Sequence, residues 1–163
     1  MASRLLIGVL GNRKAGKSRT WNTLFGRRVR TGKYRRHLTL RPNECVEVFL
    51  ISGSAEERGK YAGDILEDKK CRIVLCSLQY TENVYETFDY FTERGFQLYI
   101  HWLNPGYYDH GAQWDRLGIV NRIISTHSML GIRSGQDHPA TRVQEIRECI
   151  YGWAKYRGLI FKC

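Results

Sequence analysis

Six apolar residues, Leu5-Leu6-Ile7-Gly8-Val9-Leu10, run without a polar break into Gly11-Asn12-Arg13-Lys14-Ala15-Gly16-Lys17-Ser18. No other stretch constrains the fold as much. A continuous apolar run ending in a glycine loop reads as a strand buried on both faces, and such strands belong to parallel sheets. A helix is expected next, from residue 17 to about 25, with Gly26 as its stop. A chain that opens this way needs helices on both sides of its sheet.

The rest of the sequence agrees. Residues 37–40 and 46–51 read as strands, and the short join over 41–44 permits only an antiparallel hairpin. Residues 55–66 read as a helix with Glu56 and Glu57 in its first turn. Residues 72–78 form a buried strand. Residues 81–94 form a helix with Val84, Phe88 and Phe91 on one face. A strand over 96–103 leads into the turn Asn104-Pro105-Gly106. Residues 112–124 read as helix and 128–132 as strand. Residues 141–157 read as a long amphipathic helix with Val143, Ile146, Ile150, Trp153 and Ala154 inward. The expectation is one α/β domain over residues 1–163, with six strands, five helices and one antiparallel strand in a mostly parallel sheet.

The pattern Gly-x-x-x-x-Gly-Lys-Ser at residues 11–18 matches the Walker A phosphate loop, or P-loop. Its position between strand and helix is what the chemistry requires. Backbone N–H groups of Asn12, Arg13, Lys14, Ala15, Gly16, Lys17 and Ser18 would wrap phosphates, Gly11 and Arg19 flank them in the phosphate-binding set, and the helix N-terminus adds partial positive charge. Lys17 would reach the β and γ phosphates and serve catalysis, and Ser18 would offer its hydroxyl to Mg2+. Arg13 and Lys14 either touch phosphate or face solvent.

The stretch GNRKAGKSRTWNTLFG, Gly11 to Gly26, resembles the phosphate loop and first helix of Ras-like and Era-like GTPase domains. The resemblance extends to the element order over nearly the whole chain. It implies a three-layer P-loop NTPase fold with a Ras-like six-stranded sheet, Mg2+ with GTP or ATP as cofactor, a first switch at residues 27–39 and a second at 52–64. Dimers across the nucleotide occur in relatives, so a homodimer is a further implication.

Two family motifs are missing. The third strand ends Leu50-Ile51-Ser52-Gly53-Ser54, where the family carries Asp-x-x-Gly. Glu56 and Glu57 stand just downstream, either to serve a water or metal or as helix charges. The guanine-reading Asn-Lys-x-Asp is replaced by Asn104-Pro105-Gly106, which leaves Asn104 to face a base or to make a turn. Base identity, ATP or GTP, is open. Of Thr31 and Thr39, Thr31 is the candidate to close over Mg2+.

Charge is concentrated at one end. The net charge is +10, and the first 43 residues hold twelve Lys or Arg and no acid. Such a field attracts polyanions. The segment RRVRTGKYRRHLTLR, residues 27–41, has three readings. Arg28, Arg30, Arg35 or Arg36 could act as an internal arginine finger, with Arg30 the residue taken forward. The segment could grip nucleic acid or another anionic partner, with Tyr34 for stacking. It could also be a solvated loop.

Five cysteines without Cys-x-x-Cys spacing favour reduced, packed thiols over a disulfide framework. No apolar run spans a membrane or makes a leader, so the expected compartment is the cytoplasm. His101 reads as a core or rim histidine, and Trp114, Trp153 and the tyrosines as packing residues. Three functions compete. They are a divergent triphosphate hydrolase, a nucleotide-binding module with little turnover, and a small-molecule or nucleotide kinase.

Overall fold

The computed structural model describes residues 3–66 and 70–163. Strand β1 (Arg4–Gly11) runs through the middle of the sheet. Helix α1 (Lys17–Phe25) ends where Gly26 turns left-handed, at φ 68°. Strands β2 (Arg36–Arg41) and β3 (Glu44–Ile51) form the expected antiparallel hairpin. Strand β4 (Ile73–Gln79) is followed by α4 (Val84–Glu93), and β5 (Phe96–Leu103) by a long loop and α5 (Ile119–Ile124). Strand β6 (Met129–Arg133) leads to α6 (Ala140–Tyr156).

The sheet order is β2-β3-β4-β1-β5-β6, parallel from β3 to β6. Thus β4, not β1, is the parallel neighbour of β3. Alternation along β1 divides the core in two. Leu5, Ile7 and Val9 face α1 and α6, packing with Trp21, Leu24, Val143, Ile146 and Ile150. Leu6 and Leu10 face α4 and α5, packing with Val84, Phe88, Phe91, Ile119 and Ile123. The strand is apolar throughout because both faces are covered. All of these residues are buried.

Five local expectations change. Residues 55–66 form two short helices, α2 (Ala55–Arg58) and α3 (Ala62–Ile65), because Gly59 at φ 62° closes the first. Residues 112–118 are loop, and α5 starts at Ile119 because the Asp115 carboxylate accepts the N–H groups of Ile119 (3.1 Å) and Val120 (2.8 Å). Trp114 lies on that loop at 89 % exposure rather than packing a helix. A seventh strand, β7 (Phe161–Lys162), pairs antiparallel with Glu44 and Cys45 of β3. That pairing brings Cys163 to Cys45, and the two are joined in a disulfide, against the expectation of thiols throughout. Cys71, Cys76 and Cys149 stand outside the disulfide as thiols, the first two buried and the third half-buried. Among the described residues no helix is long and apolar enough to cross a membrane.

His101 on β5 is buried, with Nε2 3.1 Å from the Tyr99 hydroxyl and no partner for Nδ1. Burial, and then the nearby Arg133 charge, push its pKa down from 6.5 to about 4. The unfolded chain therefore binds the proton first. Stability is full above pH 6.5 and is lost as pH falls from there toward 4, by about 3 kcal/mol at most. Glu56, whose carboxyl burial holds above its usual range, acts in the opposite sense. The check is urea unfolding of wild type and His101→Leu across that window, with the variant showing the flatter dependence.

Candidate functional site

At the carboxyl end of β1 the chain leaves the sheet and makes the loop over residues 12–16 before entering α1. Ligands of open α/β sheets bind at this edge. Gly16 precedes the helix at φ 106°, a backbone angle that side chains rarely adopt. No side chain caps α1 and no acid lies in its first turn. The N–H groups that every helix start leaves without intrahelical partners therefore remain for a ligand. A cavity of about 630 Å3 opens here, lined by residues 13–19 together with Ser52, Gly53, Glu57, Tyr107 and Tyr108.

Two further loops hold the glycine loop in place. The Tyr107 N–H donates to the Ala15 carbonyl (3.0 Å), and the Gly135 N–H to the Pro105 carbonyl (2.7 Å). The fit allows only glycine at two points. A Cβ on Gly106 would lie 2.8 Å from the Ala15 Cβ, and one on Gly135 would lie 2.3 Å from the Ala15 carbonyl oxygen.

Lys17 is buried within this arrangement. Its ammonium donates to the carbonyls of Gly11 (3.0 Å) and Asn12 (3.1 Å), to Gln79 Oε1 (2.7 Å) and to Glu57 Oε1 (3.4 Å). Burial lowers its pKa, and Glu57 acts against that shift. Gln79 ends β4, so the strand between β1 and β3 supplies a polar side chain directly to Lys17. Ser18, Arg13, Lys14 and Arg19 are exposed on the cavity wall.

Beneath the loop lies a cation that the sequence reading did not single out. Arg142 of α6 is 3 % exposed. Its Nε donates to Thr20 Oγ1 (3.0 Å), and its Nη1 to the carbonyls of Ser134 (3.4 Å) and Asp137 (3.3 Å). Its Nη2 has no partner and points toward Gly16, where a Cβ would come within 3.4 Å of it. Burial, and then the Arg19 charge, lower its pKa to about 10. The Arg142 Nη2 is thus a buried donor without a partner, close behind Gly16 but not itself on the cavity wall. One signal was available, because Arg142 stands in the same four-residue register as Ile146, Ile150 and Ala154.

The other candidates divide. Glu56 is committed to structure, accepting from the Gln79 N–H (2.7 Å) and the Thr87 hydroxyl (2.8 Å). Glu57, not Glu56, lines the cavity. The Asn104 amide is closed on the backbone of Gln113, donating to its carbonyl (2.9 Å) and accepting from its N–H (2.6 Å). Thr31 Oγ1 accepts from the Ser52 N–H (2.9 Å) and from Arg58 (2.7 Å), which ties the basic segment to the end of β3. Arg30 is exposed and lines a different cavity, with Lys33, Arg58 and Lys60. Among the described residues no group of three or more His, Cys, Asp or Glu could hold a metal ion. No family model matches the chain, and no curated protein or solved structure does.

Arg142→Met tests the anion site without touching the loop. Retained folding is expected, since Arg142 has no anionic partner to leave behind and its bonds to the Ser134 and Asp137 carbonyls are long, at 3.4 and 3.3 Å. Affinity for inorganic tripolyphosphate is expected to fall about tenfold or more, a charged hydrogen bond being lost. Arg142→Lys should keep most of it. Calorimetric titration gives the affinities, and thermal melts report the fold.

Proposed function

We propose that this chain is a P-loop nucleoside-triphosphate-binding domain, a divergent NTPase akin to the Ras-like and Era-like proteins. The observation that carries the reading is the glycine loop itself, which brings Lys17 and the uncapped start of α1 to one cavity, with the unpartnered Arg142 Nη2 close behind Gly16. Both cations are buried, and Arg142 takes part in none of the ion pairs among the described residues. A polyphosphate would supply the missing negative charge. The likeness to the family is proposed for the loop and for the element order along the chain. It is not proposed for the strand order, since a Ras-like sheet would set β1 directly beside β3, and here β4 intervenes.

Mg2+ would be held by the Ser18 hydroxyl and the phosphates themselves, arriving with the nucleotide. It would neutralise charge that develops on the phosphoryl oxygens. Glu57 is the carboxylate placed to orient a water toward the terminal phosphate, since its oxygen lies 3.4 Å from the Lys17 ammonium. Gln79 offers a second polar group on the same side. A second reading, binding with little turnover, is favoured by the stretch Leu50-Ile51-Ser52-Gly53-Ser54, which holds no acid where the family carries its Mg2+-holding Asp.

Arg30, Lys33, Arg58 and Lys60 line one cavity, a basic face proposed to meet an anionic partner such as nucleic acid, and Arg27 and Arg28 of the same segment are exposed as well. The cytoplasm is proposed as the compartment because triphosphates are found there. The Cys45–Cys163 bond is the feature that runs against it.

The test is calorimetry with non-hydrolysable ATP and GTP analogues, with and without Mg2+, followed by phosphate release from ATP and GTP. Binding with steady release supports the hydrolase, and tight binding without release supports the second reading. No binding of either analogue defeats both.

A further inference from the structure

The triphosphate reading gives the site a direction. A lysine of this loop reaches the β and γ phosphates. The Lys17 ammonium lies against Gln79 and Glu57, on the β4 and β3 side of β1. The nucleoside must then leave toward the opposite wall. That wall is the loop following β5.

Tyr107 and Tyr108 stand on this wall and line the same cavity as residues 13–19. Their rings meet edge to face with centroids 4.9 Å apart. They are 43 % and 70 % exposed. Each has a cation near its ring, Arg19 of α1 at 5.1 Å from the Tyr107 centroid and Lys14 of the glycine loop at 5.9 Å from that of Tyr108. The base of this wall is rigid. Tyr107 is tied through its N–H to Ala15, and Asn104 closes the loop on Gln113.

The polar side chains at this rim are engaged with one another. Asn12 Nδ2 donates to Asp109 Oδ2 (3.3 Å), which also accepts the Gly106 N–H (2.8 Å). With the Asn104 amide spent as well, the exposed ring faces of Tyr107 and Tyr108 are the largest groups this wall turns to the cavity.

We propose that Tyr107 and Tyr108 form a stacking site for the nucleobase of the bound nucleotide, one that recognises ring area rather than the pattern of donors and acceptors. The proposal rests on the triphosphate reading. It makes ATP and GTP near equivalents, and CTP and UTP weaker ligands. Phosphates engage Arg19 and Lys14 and draw them off the rings, which frees the faces that the base takes.

The experiment titrates ATP, GTP, UTP and inorganic tripolyphosphate into wild type, Tyr107→Ala/Tyr108→Ala and Tyr107→Phe/Tyr108→Phe. In wild type, ATP and GTP are expected to bind alike and about tenfold or more tighter than tripolyphosphate. The alanine pair should bring ATP to the level of tripolyphosphate, whose own binding stays unchanged and certifies the fold. The phenylalanine pair should keep the nucleotide advantage. ATP bound no better than tripolyphosphate in wild type, or unchanged in the alanine pair, overturns the stacking site alone. So does a hundredfold preference for one purine. Failure of every ligand, tripolyphosphate included, overturns the triphosphate reading beneath it.

Discussion

Lys17→Ala is expected to remove measurable triphosphate binding and with it any turnover. The ammonium sits where two charged hydrogen bonds to phosphate would form, each worth about 1.5–3 kcal/mol, so affinity should fall by about two to four orders of magnitude. The fold should survive. Lys17 bonds to two backbone carbonyls and to the side chains of Gln79 and Glu57, and the Glu57 side chain is 34 % exposed, so water can replace the lost cation there. Burial has already lowered the Lys17 pKa, so the charge is held at a cost that the variant relieves. Calorimetry with a non-hydrolysable analogue reads the affinity, and circular dichroism reads the fold. A change below tenfold in a folded variant would show Lys17 to be a structural partner of Glu57 and Gln79.

Gly135→Ala is expected to damage the site from a position that touches no ligand. The added Cβ would lie 2.3 Å from the Ala15 carbonyl oxygen, 2.9 Å from the Tyr107 nitrogen and 3.1 Å from the Gly106 Cα. All three are backbone atoms, so no side chain can rotate out of the way. Overpacking of this kind costs about 1–3 kcal/mol, and disturbing the Gly135–Pro105 hydrogen bond adds to it. The thermal midpoint should fall by about 10 °C for a loss near 3 kcal/mol. Binding should weaken as well, because the atoms that must move belong to the glycine loop. Gly152→Ala on α6 is the internal control. Its Cβ would meet nothing within 4 Å, and stability should rise by about 0.5–1 kcal/mol. Equal melts for wild type and Gly135→Ala would mean that the three loops are not locked together.

The sequence was most readable where structure is decided locally. The α1 limits followed from the glycine loop at one end and Gly26 at the other, and the hairpin from the four-residue join. The buried stripes of α4 and α6 followed from periodicity. What escaped depends on distant partners. Asp115 shortened a helix by capping it from within the loop, and β7 exists only because β3 offers an unpaired edge at Glu44 and Cys45. The strand order was not legible because parallel neighbours are chosen by crossovers, which carry little local signal.

The same holds for the site. The glycine loop was legible as a unit, since its residues are contiguous. Glu57 was visible but could not be ranked against Glu56, because only packing shows that Glu56 is held by Gln79 and Thr87. Gln79 became relevant through the strand order that puts β4 beside β1. Tyr107 and Tyr108 were read as packing residues because tyrosines usually are. Their doublet directly after Asn104-Pro105-Gly106, at the end of a central strand, was the available clue.

The Cys45–Cys163 bond divides the molecule covalently into a tail and a ring. The tail, residues up to 44, carries the glycine loop, Lys17, Arg19 and the basic segment. The ring, residues 45–163, carries Glu57, Gln79, Tyr107, Tyr108, Gly135 and Arg142. Every contact between the loop and its surrounding groups therefore crosses from one to the other without a shared closed circuit. A nick within the ring leaves its pieces tethered, whereas a nick at the β2–β3 turn leaves a fragment bearing β1, α1 and β2 held by noncovalent contacts alone: β1 against β4 and β5, β2 against β3, and α1 against α6. The domain is thus built as two separable pieces, one bringing the loop and the other the walls, which makes it a natural candidate for reassembly from two polypeptides split at residue 43.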